Sequence, residues 1–193
     1  RSVAATKTFV ASLVTGAALV AHWRNDPALL DGIERLPEAL SRTLHADWNA
    51  LETCLLGAER LFVLGRGPGI AIAAEAALKF KETCGIHAEA YSTAEVLHGP
   101  AALVGRDFPV LAFALDDKAR PAVLDTCRLL AGQGADLFVT DPATPVGTAL
   151  PFERTGHPLL DAICLVATFH GFVEGLARRR GLDPDRPPHL RKV

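Results

Sequence analysis

The hydrophobic pattern changes period along the chain, and each change marks an element. Phe9, Val10, Leu13, Val14, Ala17 and Val20 recur at three- and four-residue intervals and predict an opening helix ending at His22-Trp23-Arg24. Thr6 or Ser2 is the residue expected to cap it. Asn25-Asp26-Pro27 is a turn, followed by a predicted helix over 28–45, with Pro37 near an interruption, and a third helical piece over 48–59. Leu61-Phe62-Val63-Leu64 is a continuous apolar run, as expected of a parallel strand buried on both faces. Gly65-Arg66-Gly67-Pro68-Gly69 breaks that run with a tight turn, and an Ala-rich helix follows over 70–84.

Further along, 109–115 and 136–140 read as two more buried strands, and 150–154 as a short edge strand. A helix from Asp116-Asp117 to about Ala131 ends at Gly132-Gln133-Gly134, and a last long helix runs from about Pro158 to about Arg179. Strands alternating with helices predict right-handed crossovers and a sheet covered on both faces. The fold class is therefore α/β, a three-layer α-β-α sandwich with a mostly parallel sheet, preceded by a helical arm. Residues 1–58 form the expected arm, 59–182 the α/β domain and 183–193 a proline-rich C-terminal segment that, read alone, is a disordered end.

Composition narrows the function classes. A chain of 193 residues, 49% hydrophobic and 22% charged, can bury one full core. The formal charge of −2 and the absence of a long basic run argue against nucleic acid or a membrane surface as the main partner. The opening apolar run is too short and too polar at its flanks to span a bilayer. Cys54, Cys84, Cys127 and Cys164 are scattered without CxxC or zinc-ligand spacing, as reduced core thiols of a cytosolic protein would be. No methionine is present, not even at position 1, which is expected of a piece of a longer reading frame.

Candidate chemistry is concentrated in residues 61–100. Strand, glycine turn and helix N-terminus make a place where free N–H groups can meet an anion, although the same pattern is also an ordinary strand-to-helix connection. On the following helix Glu75, Lys79 and Glu82 fall within about 60° of one another. They read either as a solvated row of ion pairs or, in a partly dry cleft, as a carboxylate and ammonium able to move a proton. Ser92 and Glu95 have capping-box spacing, so a short helix starts there, and Gly99-Pro100 ends it and begins another over 101–104. His98 is presented at that break, where an imidazole can exchange protons near neutral pH or serve structure alone.

Ala77-Leu78-Lys79-Phe80-Lys81-Glu82, His87-Ala88-Glu89-Ala90-Tyr91 and Glu95-Val96-Leu97-His98-Gly99-Pro100 together resemble the sugar isomerase (SIS) domain family. The resemblance is to the second SIS domain of the isomerase half of glucosamine-6-phosphate synthase, and to glutaminase-free glucosamine- or galactosamine-6-phosphate deaminases and isomerases. It implies a cytoplasmic phosphosugar deaminase or isomerase acting on an amino-hexose 6-phosphate, with no metal or cofactor. The implied catalytic residues are Glu82 for proton transfer between carbons 1 and 2, Lys79 to hold that carboxylate, His98 for ring opening and Lys192 as an amine toward the open-chain carbonyl. The implied substrate-binding residues are Val3, Ala5, Gly65, Arg66, Gly67, Ser92 and Thr93. Ala5 stands where the synthase has serine, and Pro188-His189 where it has arginine and asparagine, departures that lean toward the glutaminase-free group. The family further implies a homodimer in which the neighbouring subunit supplies His98, and an N-terminal SIS domain of the same parent chain that holds the phosphate. Two other readings stay open: a non-catalytic phosphosugar-binding module of a regulator, with the phosphate on the 65–69 turn and on Ser92 and Thr93, or the isomerase half of a glutamine-dependent synthase. The co-occurrence of Glu82, His98 and Lys192 favours an enzyme over the regulator.

Overall fold

The strand β1 (Arg60–Gly65) lies inside a five-stranded, wholly parallel sheet of a computed structural model that describes residues 4–190. Its neighbours are β2 (His87–Ser92) on one side and β3 (Pro109–Ala112) on the other, followed outward by β4 (Asp136–Val139) and β5 (Thr148–Ala149). Alternating side chains of β1 serve opposite faces, which is why its apolar run is unbroken. Leu61 and Val63 join one apolar cluster, Phe62 and Leu64 the other.

The helices are α1 (Thr6–Arg24), α2 (Pro27–Glu34), α3 (Leu36–Arg42), α4 (Asn49–Leu55), α5 (Pro68–Cys84), α6 (Arg120–Gly132) and α7 (Pro158–Arg179). On one face of the sheet α5 and α7 bury Phe80, Phe113 and Phe169 against Leu61 and Val63. The other face packs Phe62, Leu64 and Val110 against Val123, Cys127 and Leu130 of α6. α7 is long and apolar enough by composition to cross a bilayer, yet most of that apolar surface is buried here against the rest of the chain. The first helices close a third cluster, Ala17, Ala21, Leu29 and Leu36 against Leu160, Ile163 and Cys164 of α7. Trp48, Leu51 and Leu55 belong to the principal core, and the Trp48 indole donates to the Pro151 carbonyl at 2.7 Å.

Several boundaries differ from the sequence-based expectation. The helix expected over 28–45 is three pieces, α2, α3 and a 3-10 turn over Thr43–His45, because Pro37 can sit only in a first turn. Ala5 caps α1, and neither it nor Thr6 supplies a side-chain bond there; Ser2 lies outside the described residues. The edge strand falls at Thr148–Ala149, before the expected 150–154. Residues 87–92 form a strand that the apolar pattern did not single out. The four cysteines are unpaired, and burial pushes the Cys127 and Cys164 thiols up to about 12. For Cys54 burial and the bond to Asp136 together reach about 12.

Candidate active site

α5 builds the centre of the site. Pro68 opens it in the first turn, and Gly85 ends it in the left-handed conformation, φ 64°. Between them the face turned toward α7 is apolar except for a line of charge in its second half. Lys79 is buried, its side chain 4% exposed, and its Nζ lies 2.5 Å from Glu82 Oε2 and 3.6 Å from Glu75 Oε1. Glu75 Oε1 in turn lies 3.1 Å from His170 Nε2, across the α5–α7 interface. Glu82 retains 22% exposure at the outer end of the line. This is no solvated row of surface pairs: only the terminal carboxylate reaches solvent.

Two openings flank that end. Lys79, Thr83 and His170 line a cavity of about 140 Å³ with Ala4, Thr6 and Asp185. Glu82 and Thr83 line an adjoining cleft of about 510 Å³ with Leu182, Pro188, His189 and Leu190. The beginning of the described chain and its C-terminal segment therefore both lie against the last turns of α5. Ala5, exposed, sits between two residues of the first cavity. Val3 and Lys192 lie outside the described residues, though Leu190 already borders the Glu82 cleft.

The other expected site residues gather at the far end of α5. Because α5 runs back antiparallel to β1, its 17 residues separate the glycine turn from Glu82 by roughly 20 Å. Gly65 is buried where the chain turns back on itself: a Cβ there would lie 2.3 Å from the Gly69 carbonyl oxygen. Gly67 has φ +58°, and a Cβ on it would meet Asp117 Oδ2 at 3.0 Å, while Arg66 is exposed beside it. Ser92 and Glu95 form the expected capping box, each backbone N–H bonded to the other's side chain at 3.1 Å, and hydrogen bonding from the Ser92 hydroxyl and backbone N–H holds the Glu95 carboxyl below its usual range. Thr93 is buried, and its hydroxyl has no hydrogen-bond partner among the described residues. His98 ends a 3-10 turn, Glu95–His98, and is exposed. β2 has carried the chain back across the sheet by then, so within one chain Glu82 and His98 stand at opposite ends.

Residues 55–141 match the SIS domain family model. The chain carries a SIS domain. A glutamine–fructose-6-phosphate aminotransferase (isomerizing) from Aeropyrum pernix is 37% identical over 210 residues, an alignment that takes in 99% of this chain and 34% of the relative. The chain thus spans about a third of the length of that relative. Among solved structures, a Silicibacter pomeroyi protein assigned as a phosphosugar isomerase superposes with a TM-score of 0.89 at 45% identity, over 95% of this chain and 56% of that one. The C-terminal domain of glucosamine-fructose-6-phosphate aminotransferase from Francisella tularensis gives 0.82 at 25% identity, over 96% and 57%. The matched segment takes in β1, β2, β3 and β4, while α7, outside it, places His170 against Glu75. The sequence carries no signal for this contact: His170 lies among apolar neighbours on α7, and nothing near it in the chain points to a carboxylate opposite.

Proposed function

We propose that this chain is the catalytic, C-terminal half of a phosphosugar isomerase or deaminase acting on an amino-hexose 6-phosphate. The observation that carries this reading is the Lys79–Glu82 pair, buried at its ammonium end and open to a cleft at its carboxylate end. A carboxylate held in that way can take a proton from carbon 2 of an open-chain amino sugar and return it to carbon 1. The first transfer forms an enolamine and the second a ketimine. Water then adds to the carbon–nitrogen double bond and ammonia departs, leaving the ketose 6-phosphate. In the isomerase variant of the same chemistry nitrogen is retained. His98, exposed and remote from Glu82 in its own chain, acts on the ring oxygen of a substrate held by a second copy, which requires a dimer. Lys192 polarises the open-chain carbonyl, and the phosphate is held largely by a preceding SIS domain of the parent polypeptide, consistent with the third of the relative's length that this chain spans.

The test uses the full-length parent protein and measures ammonia release from glucosamine and galactosamine 6-phosphates beside aldose–ketose interconversion. Glu82→Gln is expected to slow carbon 1–carbon 2 proton exchange by about 100- to 10,000-fold while leaving phosphosugar binding in place. His98→Ala should slow turnover of the cyclic substrate and spare an open-chain analogue. Phosphosugar binding without either activity in the wild type would replace this reading with that of a regulatory binding module.

A further inference from the structure

Glu75 is a carboxylate whose side chain is only 7% exposed, and its apparent partner is already taken. Lys79 Nζ lies 2.5 Å from Glu82 but 3.6 Å from Glu75, so the ammonium is committed to the outer carboxylate. A buried carboxylate without a donor at short range is strongly disfavoured. The group that meets it is His170 Nε2, at 3.1 Å, with a ring only 9% exposed. The imidazole is fixed in turn: Phe9 of α1 meets it edge-on at 6.3 Å between centroids, and Phe169 lies at 6.0 Å. Glu174 from α7 and Asp185 from the C-terminal segment line the same cavity, so among the described residues lining it the charged groups other than Lys79 are carboxylates.

We propose that His170 is a positioning residue for Glu82, acting through Glu75 and Lys79. By donating its Nε2–H to Glu75 it satisfies the inner carboxylate and leaves the Lys79 ammonium to the outer one. The neutral Nε2-protonated ring and the imidazolium both make that donation. Without it Glu75 recaptures the ammonium, and Glu82 loses the ion pair that holds its position. The inference rests on the reading of Glu82 as the proton-transferring group.

The test replaces His170 in the full-length protein. His170→Phe is expected to lower kcat about 10- to 100-fold, the cost of a misplaced catalytic group, with KM little changed. His170→Gln, which keeps a neutral donor, should recover most of kcat. In a Glu75→Gln background the His170→Phe change should add little, because the charge that needs satisfying is gone. A purely structural role predicts the contrary: less folded protein, no recovery in His170→Gln and equal losses in both backgrounds, and that outcome overturns the proposal. Histidine-selective ¹⁵N NMR reads the contact without reference to turnover. A protonated Nε2 in the wild type whose signal moves in Glu75→Gln supports the contact, and an unprotonated Nε2 overturns the proposal whatever the kinetics. A wild type inactive on every amino-hexose 6-phosphate, with the NMR contact intact, would instead condemn the reading of Glu82.

Discussion

Replacing Arg120 by Met should expose how the carboxyl end of the sheet is held. Asp141 lies two residues beyond the end of β4, and its side chain has 0% exposure. Arg120 grips it with a two-pronged contact, Nε to Oδ2 at 2.5 Å and Nη2 to Oδ1 at 3.1 Å, and the Ala143 N–H adds a bond to Oδ1 at 2.9 Å. The guanidinium overcomes burial and holds the Asp141 carboxyl below its usual range, with help from the Ala143 N–H and the charge of Arg154. Breaking a buried pair by removing one member costs about 3–5 kcal/mol. Here Arg120 is 35% exposed and the Ala143 N–H survives the change, so the loss falls at or just below the bottom of that range, about 2–3 kcal/mol. Urea unfolding at pH 7 measures it. The sign with pH follows from linkage: a folded-state value below the unfolded one, near 3.9 for Asp, means the unfolded chain binds more protons between the two. Wild-type stability from this pair is therefore fully present above about pH 5 and lost as pH falls through the depressed value. The gap between wild type and Arg120→Met should be widest at neutral pH and narrow on acidification. A loss below about 1 kcal/mol at pH 7, or a gap unchanged between pH 7 and the acid limit of folding, would refute the argument.

Two further outcomes test other parts of the scaffold. Gly65→Ala drives a Cβ to 2.3 Å from a backbone oxygen that cannot swing aside, and should cost about 3 kcal/mol or more in chemical denaturation; near-neutral behaviour would mean that the turn after β1 is far more open. Arg180 donates to the carbonyls of Leu55 at 2.6 Å, Leu56 at 2.8 Å and Cys84 at 3.0 Å, tying the ends of α4 and α5 to the end of α7. Arg180→Ala should cost about 2–3 kcal/mol and speed hydrogen exchange selectively in those two helix ends, with Arg180→Lys recovering less than half because one ammonium cannot span three carbonyls.

What could be read in advance follows from which forces are local. α7 is observed over Pro158–Arg179, as the sequence predicts, since a proline start, a dense apolar face and a Gly181 just past its end are all local signals. The strand at 87–92 escaped notice because it is an edge: Glu89 and Tyr91 remain partly exposed, so no apolar run was required of them. Glu75, Lys79 and Glu82 were legible from helical spacing, but their burial was not, because it is set by α7 arriving from elsewhere in the chain. His170 joins Glu75 across 95 positions, a contact that no period within either helix encodes. The expected dimer role of His98 likewise gains its geometric motive only from topology, since a helix antiparallel to its strand places Glu82 and His98 at opposite ends of the sheet.

The two ends of the described chain rest on one short stretch of α5, with Ala4 and Thr6 beside Lys79, and Pro188, His189 and Leu190 beside Glu82. Any group inserted beside Ala4 or Leu190, whether an affinity tag, a fluorophore or a linker, would hang beside those two openings. Labels for assays of this protein are better placed on the outer surface of α6, where Leu129 is already open to water.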